Sequence, residues 1–145
     1  MNTNQNHFNA HLAAQNPITD GRVIVNSGLT VAVVLGISVL DMSQNAISNL
    51  AFTDIKMSHP VYVGGDTIYA ESICTGLRQS ESRPYAGIVS MITRGLNQDG
   101  TEVISWKRSV MVATRESGIG QNYFPEAKSG PLQLPTPADP EGALS

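Results

Sequence analysis

The sequence has little charge, almost no cysteine and no long apolar run, and each shortage excludes something. Only 14% of its residues are Asp, Glu, Lys or Arg, the net charge is −3, and no basic run occurs anywhere. Nothing tracks a phosphate backbone, which argues against nucleic acid as a partner. The single cysteine, Cys74, rules out an internal disulfide and argues against a cysteine-based zinc site, so no metal is expected. The longest apolar run, Gly28 to Leu40, is roughly a dozen residues, short of the about 20 that span a bilayer. Met1 to Gln15 is rich in Asn and has no basic or apolar block, so it does not read as a signal peptide. These absences predict a cytoplasmic protein without a membrane partner.

What is present suffices for one core. Hydrophobic residues make up 41% of 145 residues, within the size of one domain. A surface of uncharged polar side chains suits subunits that cover one another, so a homodimer or higher homo-oligomer is expected. Asn9 caps a short helix over Ala10 to Gln15, with Phe8 and Leu12 turned inward, and Asn16-Pro17 ends it. Asp20-Gly21 is a turn. Asn26-Ser27 is a capping pair, with Ser27 as the cap of a helix through Leu40 and Asp41 near its end. That run is apolar on every face, so as a helix it should be buried on all sides.

Strands supply the wrapper. They are expected at Asn49 to Ile55, Asp66 to Leu77, Gly87 to Gly95 and Glu102 to Ala113, with a hairpin turn at Asp99-Gly100. In the last strand Ile104, Trp106, Val110 and Val112 share one face. No helices intervene, so the sheet should be antiparallel. The fold class is α+β, with residues 1–115 as the domain and 116–145 as a Gly/Pro-rich, largely disordered tail.

Four segments carry a family resemblance. They are Asn2-Thr-Asn-Gln-Asn-His-Phe-Asn-Ala10, Gly21-Arg-Val-Ile-Val-Asn-Ser27, His59-Pro-Val-Tyr-Val-Gly-Gly-Asp-Thr-Ile68, and Arg78-Gln-Ser-Glu-Ser-Arg-Pro84 followed by Gly87-Ile-Val89. In order and spacing they resemble the MaoC-like hydratase branch of the hot-dog fold. The likeness runs over roughly Asn2 to Arg115 and is greatest to members that handle itaconyl-CoA, mesaconyl-CoA and related acyl thioesters. The resemblance implies a long buried helix in a curled antiparallel sheet. Members carry a further strand and helix ahead of the first segment, so one sheet edge should lie open unless a partner fills it.

The resemblance also implies chemistry. The family signature is an acid, then Asn two positions on, then His five positions on. His7 and Asn4 stand at the last two places, and Asn2 stands where the acid would be. An amide can orient a water but cannot take its proton, so His7 would be the sole general base. The backbone N–H of Ser27 or Gly28, at the helix start, would hold the thioester oxygen as charge builds on it. Arg78 and Arg83 would meet the phosphates of CoA, which is part of the substrate, so no separate cofactor is expected. The implied reaction is reversible hydration of an enoyl-CoA thioester. Two other readings stay open: a non-catalytic acyl-CoA binder or partner subunit, and a hot-dog thioesterase. Many thioesterases of this fold place a carboxylate on the buried helix, and Ser27 to Leu40 has none.

Overall fold

The computed structural model describes residues 4–119 and 127–131; Asn2 and most of the expected tail lie outside them. The long helix, α2, runs Ser27–Met42 after a four-residue helix, α1, at Ala10–Ala13. Its cap is Asn26 and not Ser27: the Asn26 Oδ1 accepts from the N–H of Gly28 at 2.8 Å and of Leu29 at 3.4 Å. Ser27 is the first helical residue. The buried positions are Thr30, Val34 and Ser38, four residues apart and therefore on one face. The expectation of burial on all sides fails, because Leu29, Val33, Ile37 and Leu40 are 56%, 40%, 40% and 73% exposed. One sheet covers one side of a helix, and no other layer lies over the rest among the described residues.

The sheet has four antiparallel strands, β1 (Ala46–Met57), β2 (Tyr69–Gln79), β3 (Ala86–Leu96) and β4 (Glu102–Ala113), in the order β1-β4-β3-β2. β4 begins and ends where the sequence places it; β1 is longer at both ends. The hairpin between β3 and β4 turns at Gly100, whose φ is +76°, and Asn97 Oδ1 accepts from the Thr101 and Asp99 N–H groups. β2 is an edge strand that exposes most of its side chains.

Helix and sheet approach closely at Gly95. A Cβ there would stand 2.6 Å from Val34 Cγ2 and 3.0 Å from Ile104 Cγ2. Both obstacles are branched side chains of the core, where relief requires backbone movement. Gly95→Ala is therefore expected to cost about 1–3 kcal/mol, read as a lower denaturant midpoint at unchanged slope.

The core joins Val34, Val61, Val103, Ile104 and Trp106. The inward face of β4 also carries Arg108, which the sequence pattern passes over. It is 5% exposed, donates to Ser43 Oγ at the end of α2 and to Asn49 Oδ1, and stands 5.3 Å over the Phe52 ring. Burial pushes its guanidinium below the ordinary arginine value. The last turn of α2 has no basic residue, so Arg108 supplies a cation beside the negative end of the helix dipole.

The chain ahead of α2 is held by a second, smaller pairing. Val25 N–H donates to the Val61 carbonyl at 2.7 Å and Val63 N–H to the Val23 carbonyl at 2.9 Å, around an Ile24–Tyr62 bridge. The Tyr62–Asp66 turn uses Gly64 at φ +87°, and Asp66 Oδ2 accepts from the Tyr62 N–H at 2.8 Å. Phe8 and Leu12 do not turn inward: they are 63% and 40% exposed, and Ala13 is the residue α1 buries. A helix of one turn has room to bury one position, and the small alanine takes it.

Candidate active site

His7 ends a 3₁₀ turn, Gln5–His7, capped by Asn4, whose Oδ1 accepts from the Asn6 N–H at 3.0 Å. Its imidazole is half-buried, and its Nδ1 lies 2.9 Å from the Ile24 carbonyl oxygen. A carbonyl only accepts, so Nδ1 carries the hydrogen and the neutral ring presents Nε2 as a lone pair. The Ile24 N–H also reaches the Asn6 carbonyl, at 3.4 Å. The chain at 23–25 thus has Val61 to Val63 on one side and Asn6-His7 on the other. Two residues past Ile24, Asn26 caps α2. Only Val25 and Asn26 separate Ile24 from Ser27, so the residue whose carbonyl holds His7 lies no more than about 10 Å from the helix start.

The helix start offers unequal donors. Ser27 and Gly28 are both exposed residues, but the Gly28 N–H is taken up by Asn26 Oδ1. Of the two N–H groups named from the sequence, Ser27 is the one that the Asn26 cap does not engage.

The contacts of Ile24 tie the turn of Asn4 and His7 to the segment that leads into Ser27 and Gly28. The structure does not bring Arg78 and Arg83 to that end of the helix. Val34 sits over Gly95, and the end of α2 meets Arg108 through Ser43, so the helix runs toward the end of β4. Arg78 pairs with Ile88, which pairs with Met111 near that same end. Arg83, in the β2–β3 connection, donates to Met111 Sδ at 3.4 Å. Nearly the length of β4, roughly 30 Å, separates them from the start of α2 within one chain. Asn2 lies outside the described residues. Surface cavities of about 490, 330 and 280 Å³ open on the strands, and His7, Asn4 and Ser27 line none of these three. Among the described residues no cluster of His, Cys, Asp and Glu could hold a metal ion, and no helix is long and apolar enough to cross a membrane.

Sequence reasoning missed two parts of this site. The Ile24 carbonyl is backbone and leaves no side-chain signal. Asn26 was legible as a capping residue, but its hold on Gly28 was not.

A long helix on the face of a curled four-stranded antiparallel sheet is the plan of a hot-dog protein. The same fold is seen in a mycobacterial protein from Mycobacterium tuberculosis with a double hot-dog fold, at a TM-score of 0.69 and 21% identity over 98% of this chain and 43% of that one. The chain belongs to the mesaconyl-CoA hydratase family, whose model matches residues 1–127. It is 43% identical to a mesaconyl-CoA hydratase of Cereibacter sphaeroides over 84 residues, which are 58% of this chain and 24% of that protein. It is also similar to a solved MaoC domain dehydratase protein from Chloroflexus aurantiacus, at 30% identity and a TM-score of 0.65, over 86% of this chain and 32% of that one. The chain spans about a quarter to a third of the length of the curated relatives it matches.

Proposed function

We propose that the chain hydrates, and in reverse dehydrates, a short enoyl-CoA thioester of the branched or dicarboxylic kind, such as mesaconyl-CoA or itaconyl-CoA. The observation that carries this reading is the Nδ1 contact of His7 with the Ile24 carbonyl, which leaves Nε2 as the base beside the helix start. Nε2 takes a proton from water as the oxygen attacks the β-carbon. The thioester oxygen gains charge and is met by the Ser27 N–H and the positive end of α2. The proton then passes to the α-carbon. Asn4 holds the turn that carries His7 and gives no base of its own.

A second reading, a non-catalytic acyl-CoA binder, is favoured by the Gly28 N–H being occupied by Asn26 and by an amide at position 2 where the family has an acid. Thioester hydrolysis is disfavoured, since the only carboxylate of α2 is Asp41 at its far end.

The partner is proposed to be a second hot-dog unit, a further copy of this chain. The exposed stripe Leu29, Val33, Ile37 and Leu40 gives it an apolar face, and a second unit would supply walls to a site that one chain leaves open. Arg78 and Arg83 then meet CoA phosphates only if the partner's ends are reversed across the interface.

The test mixes the full chain with a panel of enoyl-CoA thioesters and follows both enoyl absorbance and free thiol. Hydration removes absorbance without releasing thiol. Thiol release instead supports a thioesterase, and bound but unchanged substrate supports the non-catalytic reading.

A further inference from the structure

Arg22 sits where the Asp20-Gly21 turn, at φ +49° and +74°, delivers the chain into the 23–25 segment. Its N–H closes that turn on the Thr19 carbonyl at 3.0 Å. Its guanidinium carbon lies 3.4 Å from the centre of the Tyr62 ring. Tyr62 is the bridge partner of Ile24, whose carbonyl holds His7. The cation and the base are thus anchored to the same three residues of backbone.

Stacking occupies one π-face of the guanidinium and fixes its plane, which leaves the in-plane N–H donors for a planar anion. No carboxylate among the described residues forms an ion pair with it. The acid nearest along the Tyr62 turn, Asp66, has its oxygens on the Tyr62 N–H and the Gln98 amide. Three other cations are held by side chains, Arg94 by Glu71, Lys107 by Asp54, and Arg108 by Asn49 and Ser43; Arg22 differs from the remaining ones in being seated on an aromatic ring. The polar side chains on the segments that carry His7 and lead into α2 are uncharged, the amides of Asn4, Asn6 and Asn26 and the hydroxyl of Ser27 among them. An exposed fork that is oriented by a ring and has no ion pair among the described residues is suited to a carboxylate.

We infer that Arg22, seated on Tyr62, binds the free carboxylate at the far end of a dicarboxylic acyl chain and so sets the acyl specificity of the site. This rests on the hydratase reading and deepens it: a carboxylated acyl group is preferred over a plain one of similar length. A phosphate of CoA offers the same anion chemistry, and the test separates the two.

The experiment measures binding of two saturated thioesters that cannot be hydrated, methylsuccinyl-CoA and butyryl-CoA, to the full chain and to Arg22→Met and Arg22→Lys by calorimetry. Circular dichroism confirms that each variant is folded. The wild type is expected to favour methylsuccinyl-CoA, and Arg22→Met to lower that preference about 10- to 100-fold, with Arg22→Lys between them. The corresponding pantetheine thioesters, which lack the nucleotide phosphates, should show the same loss. Three results overturn the inference while leaving the hydratase reading in place. They are no preference in the wild type, a preference that survives Arg22→Met, and an equal loss for both CoA esters that vanishes with pantetheine esters. Binding of neither ester overturns the functional reading itself, and this inference with it.

Discussion

His7→Ala is expected to lower kcat/KM for enoyl-CoA hydration by about 10²- to 10⁴-fold, the range that a positioned general base contributes. The reason is geometric. The Ile24 carbonyl fixes the tautomer through Nδ1, so removing the ring removes the lone pair at Nε2 and no neighbouring side chain replaces it. Asn4 is committed to its turn, and an amide does not accept a proton at neutral pH. His7→Gln makes a sharper control. It can keep a hydrogen bond to the Ile24 carbonyl and thus the local fold, yet it supplies no base, so it should fall nearly as far as alanine. Binding of a saturated acyl-CoA should change much less than turnover in both variants. A loss below about tenfold in both would remove His7 from the chemistry.

Trp106→Ala is expected to cost about 3–5 kcal/mol of stability. Trp106 is 1% exposed, lies among Val34, Val61, Val103 and Ile104, and meets the Phe52 ring at 5.9 Å between centres. It therefore supports both α2, through Val34, and the Val61 end of the small pairing that carries the His7 anchor. Its Nε1 is buried without a hydrogen-bond partner, a situation that costs about 1–3 kcal/mol. Trp106→Phe should accordingly be much milder than alanine, because deleting the unpartnered N–H offsets part of the lost volume. Denaturant midpoints for the three proteins check this. A Trp106→Ala cost under about 1 kcal/mol would contradict the packing described.

The plan of the fold was legible where side-chain pattern alone decides the element. In β4 the shared face of Ile104, Trp106, Val110 and Val112, set against Ser105, Lys107 and Ser109, marked the strand to the residue, and Asp99-Gly100 marked its turn. The interruption of that face by Arg108 was not legible, because its partners are Ser43 and Asn49, far away along the chain. The apolar run from Gly28 to Leu40 announced a helix that must be covered, yet a sequence does not state how many layers cover it. One face has the sheet, and the Leu29 to Leu40 stripe awaits something else.

The site was legible in part for the same reason. His7 and Asn4 came from a family pattern in which residue type and spacing are informative, and Ser27 from its place at the helix start. What positions them is mostly backbone: the Ile24 carbonyl, and the pairing of 23–25 with 61–63. Backbone contacts of that kind leave no trace in residue type. Arg78 and Arg83 sit about a strand's length from the helix start, and only the strand register reveals it. Arg22 drew no notice in the sequence because its seat, Tyr62, is forty residues on.

The most direct test of the hydration reading is to incubate the full chain with mesaconyl-CoA in D₂O and weigh the acyl product by mass spectrometry. Hydration through a solvent-fed base predicts an acyl group heavier by one water, with one deuterium fixed on carbon beside the thioester and no free CoA. Mesaconyl-CoA that is bound by the folded chain and recovered unchanged would contradict it.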